Sequence, residues 1–281
     1  MENHSPELRS LPLFAEHLRR EERAEGTVEK YVHDAELFVR WLAGRELSKE
    51  RLTAYKELLA ASGRRPATIN GILAALHSFL LFLGREDCRV KYLKLQRRLF
   101  RARERELTKE EYARLVSTAR AQGRERLALV MECIGGTGLR VSELKFITLE
   151  ALRRGRAEVA LKGKIRTILI PGKLCRKLLG YARKQKIAAG EIFLTGSGKP
   201  LSRGQVWAEM KSLCRAAGVD ESKVFPHNLR HLFARVFYKS CRDIVLLADV
   251  LGHSSLSTTR IYLLSTGAEH ARQIERLGLV S

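Results

Sequence analysis

The sequence predicts a mainly α-helical protein with one small antiparallel β-hairpin, arranged as a helical N-terminal domain and a mixed α+β C-terminal domain. Three observations predict this. Apolar residues recur at the three- and four-residue spacing of a buried helix face through most of the 281 residues. Residues 156–170 change to short β-branched runs, EVALK and IRTILIP. Between the halves, residues 85–106 hold nine basic and four acidic side chains and few periodic apolar positions, as a connecting segment does.

The elements follow in order. Residues 11–18 have helical apolar spacing. Thr27 stands as N-cap of a helix bearing Val28, Tyr31, Val32, Ala35, Leu37, Phe38, Trp41 and Leu42, which Gly44 ends. A third helix is expected over 48–62, closed by Gly63. A fourth is expected over 67–83, with Ile69, Ile72, Leu73, Leu76, Phe79, Leu80 and Leu83 on one face and Gly84 behind it. Four short helices with short connections make a small bundle. The expected layout is a helical domain over 1–86, a basic linker over 87–106 and a second domain over 107–281. The second domain opens at Thr108, which with Glu111 forms a capping box: hydroxyl and carboxylate satisfy backbone N–H groups that the helix leaves over. Helices continue through Ile134, the hairpin turns at Gly163-Lys164, and helices return from Gly172. There is no tandem repeat.

The charge balance narrows the partner. Lys and Arg number 52 against 31 Asp and Glu, a formal charge of +21. Such an excess repels itself in the folded state and is explained most simply by a polyanion, nucleic acid before an acidic membrane surface. Heat adaptation through surface ion pairs would raise both signs of charge. Cys88, Cys133, Cys175, Cys214 and Cys241 are odd in number, widely spaced and without a C-x-x-C pair, which argues against a disulfide framework and a zinc site. The first residues, MENHSPELRS, lack a basic-then-apolar signal pattern. The longest apolar runs, such as 78–84, are too short to span a bilayer. A cytoplasmic protein with no membrane partner is expected.

Four pieces of the second domain carry candidate chemistry. Gly136-Thr137-Gly138-Leu139-Arg140 leads a turn into a helix with an arginine at its start. Lys162-Gly163-Lys164 lies at the hairpin tip. His227-Asn228-Leu229-Arg230-His231 follows Pro226, a natural helix start, and places His227 and Arg230 on one face. Gly252-His253 is followed by Thr258-Thr259-Arg260-Ile261-Tyr262. Singly, each has an ordinary reading: a solvated arginine, an idle tip lysine, a polar helix face and a half-buried packing tyrosine.

Their order and spacing together change the reading. The set Arg…Lys…His-x-x-Arg…Gly-His…Tyr resembles the tyrosine recombinases and integrases over nearly the whole chain. TGLRVSEL is similar to that family's first-arginine motif, and HNLRHLFA with LGHSSLSTTRIY to its later ones. The resemblance implies two domains that clamp a DNA duplex. It implies Arg140 and Arg230 as the two arginines, Glu143 as the acidic residue after the first, His227 and His253 as the histidine positions, and Tyr262 as the nucleophile. The family's hairpin often reads Gly-Lys-Gly-x-Lys; here Leu161 replaces the leading glycine and the turn is shorter. Lys162 is taken as the hairpin lysine, with Lys164 its rival.

Chemistry agrees with these roles. A phenol with a pKa near ~10 is a poor nucleophile at neutral pH unless its neighbours activate it. A phosphodiester repels attack, and two guanidiniums answer its charge with paired hydrogen bonds that strengthen in the transition state. The lysine would protonate the 5′-hydroxyl leaving group, His227 would assist proton movement at the nucleophile, and His253 would bond the phosphate. No metal and no cofactor is implied. The tail, 263–281, has a helical pattern over 268–277; the resemblance implies that it docks into a neighbouring subunit, so that a homotetramer forms on two duplexes. A related recombinase or accessory protein is a further implied partner. The rival readings are a non-catalytic DNA-binding protein on the same scaffold and a type IB topoisomerase-like nicking enzyme.

Overall fold

In the computed structural model, which describes residues 6–95, 106–161, 164–253, 255–260 and 275–276, the chain divides into two units, Met1–Arg97 and Arg98–Ser281. The first is built from α1 (Pro6–Arg20), α2 (Glu25–Leu42), α3 (Lys49–Ala61) and α4 (Pro66–Phe82). Their apolar stripes meet in one core around Phe14, Phe38, Leu73, Leu76 and Phe79. Ser48 caps α3 by accepting from the Arg51 amide at 3.3 Å, and Pro66 starts α4, where its missing N–H costs nothing. Helix α2 starts ahead of Thr27. Ala24 is its extended N-cap, and Glu25 puts a carboxylate in the first turn, where the helix dipole favours it. Thr27 therefore lies inside that turn. The core runs on past α4 through a 3-10 turn, Glu86–Cys88, with Cys88 and Val90 buried in it.

The second unit opens with α5 (Lys109–Ala121). The expected capping box is present: Thr108 Oγ1 accepts from the Glu111 amide at 3.1 Å, and the Thr108 amide donates to Glu111 Oε2 at 2.8 Å. Helix α6 (Glu125–Thr137) buries Leu127 to Met131, Cys133 and Ile134 in the core. A 3-10 segment, Val141–Phe146, leads to α7 (Leu149–Arg154). The hairpin pairs β1 (Arg156–Leu161) with β2 (Lys164–Leu169), antiparallel, from Arg156↔Leu169 to Leu161↔Lys164. Lys164 thus belongs to β2 rather than to the turn in which the sequence places it. Ala157, Val159 and Ile168 face the core, while Ile165 and Leu169 face outward, as the two-residue period of a strand requires. An isolated hairpin is marginal in water; this one is held by its buried face.

Helices α8 (Gly172–Lys184), α9 (Arg203–Lys211) and α10 (Cys214–Ala217) follow, then α11 (Pro226–Cys241), α12 (Ile244–Leu251) and α13 (Leu256–Arg260). Helix α11 packs along α6, and a small cluster of Ala234, Leu247 and Leu251 with Phe233 and Phe237 fastens it to α12. Two described turns aim the site. Gly138 ends α6 and Gly252 ends α12, both left-handed. Among the described residues no helix is long and apolar enough to cross a membrane.

Gly138 has no room for a side chain. A Cβ there would lie 2.4 Å from Phe233 Cδ1 and 2.9 Å from Leu251 Cδ2, at a φ of +67°. Gly138→Ala is expected to cost about 1 to 3 kcal/mol through overpacking, with left-handed strain in addition. Urea unfolding will read this as a lowered midpoint; an unchanged midpoint would show that α11 and α12 yield freely.

Candidate active site

Arg230 is the deepest member of the site, with 1% of its surface exposed. Pro226 fixes the start of α11, and Arg230 lies on the side of that helix turned to α6. Its Nη1 donates to the Gly138 carbonyl. Its Nη2 donates to the Leu251 carbonyl at 2.7 Å and to His253 Nε2 at 2.9 Å. Both carbonyls belong to helix C-termini, where acceptors lack intrahelical partners and the dipole favours a cation. One guanidinium thus ties the ends of α6 and α12 to α11.

His253 follows the left-handed Gly252. Arginine only donates, so Nε2 must accept; the proton is therefore assigned to Nδ1, which donates to Thr259 Oγ1 at 2.8 Å. Thr259 is fully buried at its place in α13. Burial, and then the charges of Arg230, Arg140 and Arg166 with His227, push the imidazole down to about 4. The ring is neutral at physiological pH.

Arg140 leaves the Gly138 turn and stands at the start of the 3-10 segment. Its amide donates to Glu143 Oε2 at 2.7 Å, and its Nη1 to Oε1 at 3.0 Å. The arginine side chain is 43% exposed, the carboxylate side chain 3%. Burial acts to raise the Glu143 pKa, but the Arg140 amide and the Arg166 guanidinium outweigh it and hold the carboxyl below its usual range. Arg166 reaches the same carboxylate from β2 through Nη2, and its Nη1 donates to the Val250 carbonyl at 2.9 Å. His227, next to Pro226, is exposed. Its ring meets that of His231, one turn on, edge to face at 4.7 Å between centroids.

Of the residues singled out in the sequence, the structure puts Arg230 in direct contact with His253, and the charges of Arg140 and His227 also bear on that imidazole. Lys162 and Tyr262 lie outside the described residues. Lys164 is described only by its backbone, paired with Leu161 at the hairpin end. Sequence reasoning passed over Arg166 and Thr259. Arg166 had a signal: it occupies an inward position of β2, in phase with Ile168, and a charge in an apolar phase needs a partner. Thr259 had none beyond its proximity to His253. Among the described residues no group of three or more His, Cys, Asp or Glu could hold a metal ion. What the cluster offers is a fixed set of cationic donors, one of them exposed, suited to an oxyanion.

Residues 105–269 match the phage integrase family, and residues 11–87 match the phage integrase N-terminal SAM-like domain. The chain belongs to the phage integrase family of tyrosine recombinases. This recombinase is 30% identical over 277 residues to tyrosine recombinase XerA of Pyrococcus furiosus, covering 95% of this chain and 93% of that protein. It is 28% identical over 277 residues to tyrosine recombinase XerD of Halalkalibacterium halodurans, covering 88% and 90%. Its fold is similar to that of a lambda integrase tetramer bound to a Holliday junction, with a TM-score of 0.72 at 20% identity, over 92% of this chain and 78% of that one.

The depressed pKa of His253 has a consequence for the stability of the recombinase. The unfolded histidine takes up its proton near ~6.5, while the folded one resists until about 4. Between those values the unfolded chain binds more protons, so folding stability falls as the pH falls. His253→Asn removes this linkage. The slope of urea midpoint against pH between pH 6.5 and 4 is expected to be shallower in the variant, and equal slopes would place the acid sensitivity elsewhere.

Proposed function

We propose that the chain is a site-specific recombinase that cleaves and rejoins double-stranded DNA through a covalent 3′-phosphotyrosyl bond to Tyr262, exchanging strands between two sites in integration, excision or dimer resolution. The observation that carries this reading is the buried Arg230 guanidinium, bonded to the Leu251 carbonyl at 2.7 Å and to His253 Nε2 at 2.9 Å, in a member of the tyrosine recombinase family. Arg140, exposed, and Arg230, fixed from behind by two helix ends, would hold the non-bridging oxygens of the scissile phosphate. Charge that grows on those oxygens during attack is then met by donors already in place. The hydroxyl of Tyr262 attacks phosphorus, and Lys162 gives its proton to the departing 5′-oxygen. His227 would assist at the nucleophile.

His253 must donate from Nε2 to bond the phosphate, whereas it accepts there from Arg230 without DNA. An arriving phosphate draws the Arg230 N–H groups to itself, and its negative charge favours imidazolium. Substrate binding and protonation of His253 are therefore coupled in this reading. The covalent bond conserves the energy of the broken linkage, so neither ATP nor a metal enters the scheme. The helical domain over 1–86 and the basic linker would grip the duplex, with 107–281 carrying the chemistry in the cytoplasm. Assembly as a homotetramer on two duplexes, with 263–281 docking between subunits, is supported by the lambda integrase tetramer on its Holliday junction.

The nucleophile is tested first. Tyr262→Phe is expected to abolish covalent capture of a nicked suicide substrate and to leave DNA affinity within about twofold, since one hydroxyl is lost; an undiminished adduct would sink the assignment. Wild-type protein that binds but forms no adduct would be the non-catalytic binder. Adduct without exchange on a two-site plasmid would be the nicking enzyme. The lysines are separated by a substrate with a 5′-bridging phosphorothiolate, whose thiolate leaves without a proton. Lys162→Ala is expected to fail on ordinary DNA and recover on sulfur DNA. Recovery of Lys164→Ala instead would move the acid to that residue.

A further inference from the structure

We infer that Arg166 is a positioning residue for DNA cleavage: from the hairpin strand it holds both the carboxylate that orients Arg140 and the turn that presents His253. The inference rests on the recombinase reading above.

The side chain of Arg166 is 12% exposed, although it stands in the inward phase of β2 where Ile168 is apolar. A cation there is costly unless it is paired and hydrogen-bonded. Its two ends go to different segments. Nη2 meets Glu143, which follows α6, and Nη1 meets the Val250 carbonyl in the last turn of α12. Only a planar fork spans two such acceptors at fixed angles; an ammonium on a flexible stem serves one at a time.

The consequence for Arg140 is electrostatic. Glu143 is a buried anion that accepts from the Arg140 guanidinium and backbone. If Arg140 were its only cation, the pair would carry no net charge, and the exposed guanidinium would be drawn inward to neutralise the carboxylate. With Arg166 also bound, the group of three retains one positive charge, and it lies on the exposed member. Arg166 thus leaves Arg140 free to face a phosphate.

The consequence for His253 is steric. The stem of Arg166 runs directly beneath Gly252. A Cβ on that glycine would lie 2.3 Å from Arg166 Cδ and 3.1 Å from Nε. The Leu251-Gly252-His253 turn therefore rests on the arginine, and the charge of Arg166 acts on the imidazole. Arg166 lies two residues beyond Lys164 on β2. One side chain couples the hairpin that bears the lysine candidates to the first arginine and to the histidine.

The test is single-turnover cleavage of the suicide substrate at saturating protein, with DNA affinity and melting temperature measured alongside. Arg166→Lys is expected to slow cleavage about 10²-fold, the scale of a small misplacement of catalytic groups, with affinity within about threefold. In an Arg140→Lys background the same change is expected to slow cleavage far less, because the partner through which it acts is already lost. Arg166→Met should in addition move the alkaline limb of the pH–rate profile upward, because the protonated His253 that bonds the phosphate then faces one cation fewer. It removes one of the cations facing His253 and leaves Arg230 and His227 on α11, and Arg140 beyond α6. A merely structural residue would lower melting without shifting that limb. If Arg166→Lys does not fold, Gly252→Ala displaces the same stem from above and must give the same split of slow cleavage and intact affinity. Near-wild-type cleavage by either folded variant, or independent multiplicative losses in the Arg140→Lys background, would overturn the inference. Failure of the wild-type protein to form adduct would instead overturn the recombinase reading.

Discussion

A guanidinium buried to 1% exposure cannot shed its proton, so the protein around Arg230 must supply acceptors. The solution here is to end two helices at it. The carbonyls of Gly138 and Leu251 accept its bonds, and each is available because a helix stops at that point and leaves it unclaimed. The rest of the catalytic unit follows from this requirement. Helix α6 must end beside α11, so it turns through a left-handed glycine against which Phe233 packs without a gap. Helix α12 must end there too, and it does so through Gly252. The residues that leave these two ends are Arg140 and His253. Their positions are thus by-products of satisfying a third residue.

The same cation decides the state of the histidine. Nε2 faces a group that only donates, and burial with three nearby arginines removes the incentive to protonate. A chain of charge +21 gathers arginines here around one described, almost fully buried carboxylate, Glu143. It does not cancel them. The positive charge left over at such a site is a cost that the folded unit bears. Preorganisation of this kind needs little rearrangement at the moment of reaction.

Much of this was legible in the sequence, for reasons that differ by element. Helix α4 was plain because its apolar face repeats without interruption from Ile69 to Leu80. The hairpin was plain because its β-branched residues alternate. The capping box at Thr108 and the proline at the head of α11 are local chemistry and need no tertiary contact to be read. The start of α2 was read late, since a threonine is a better cap than Ala24 on propensity alone and only the path of the chain decides between them. Cys88 and Val90 were hidden among charges: the segment 85–106 looked like solvated linker, and two buried side chains do not make a period. The exposed or helix-borne members of the site, Arg140, His227 and Arg230, carried recognisable spacing. Arg166 and the carbonyls of Gly138 and Leu251 did not. A residue whose partners lie 23 and 84 positions away leaves no local trace, and a backbone acceptor leaves none at all.

The cysteines differ sharply in exposure. Cys88, Cys133, Cys175 and Cys214 are buried, while Cys241 is exposed at the last turn of α11. Burial raises the thiol pKa of all four buried ones, which slows their reaction with an electrophile beyond the steric barrier. A maleimide dye should therefore couple at a single position in the native protein. That position is on the same helix as Arg230, about 16 Å away along its axis at the α-helical rise per residue. The fold provides, without any engineered residue, a fluorescent handle on the same rigid helix as the buried Arg230 guanidinium.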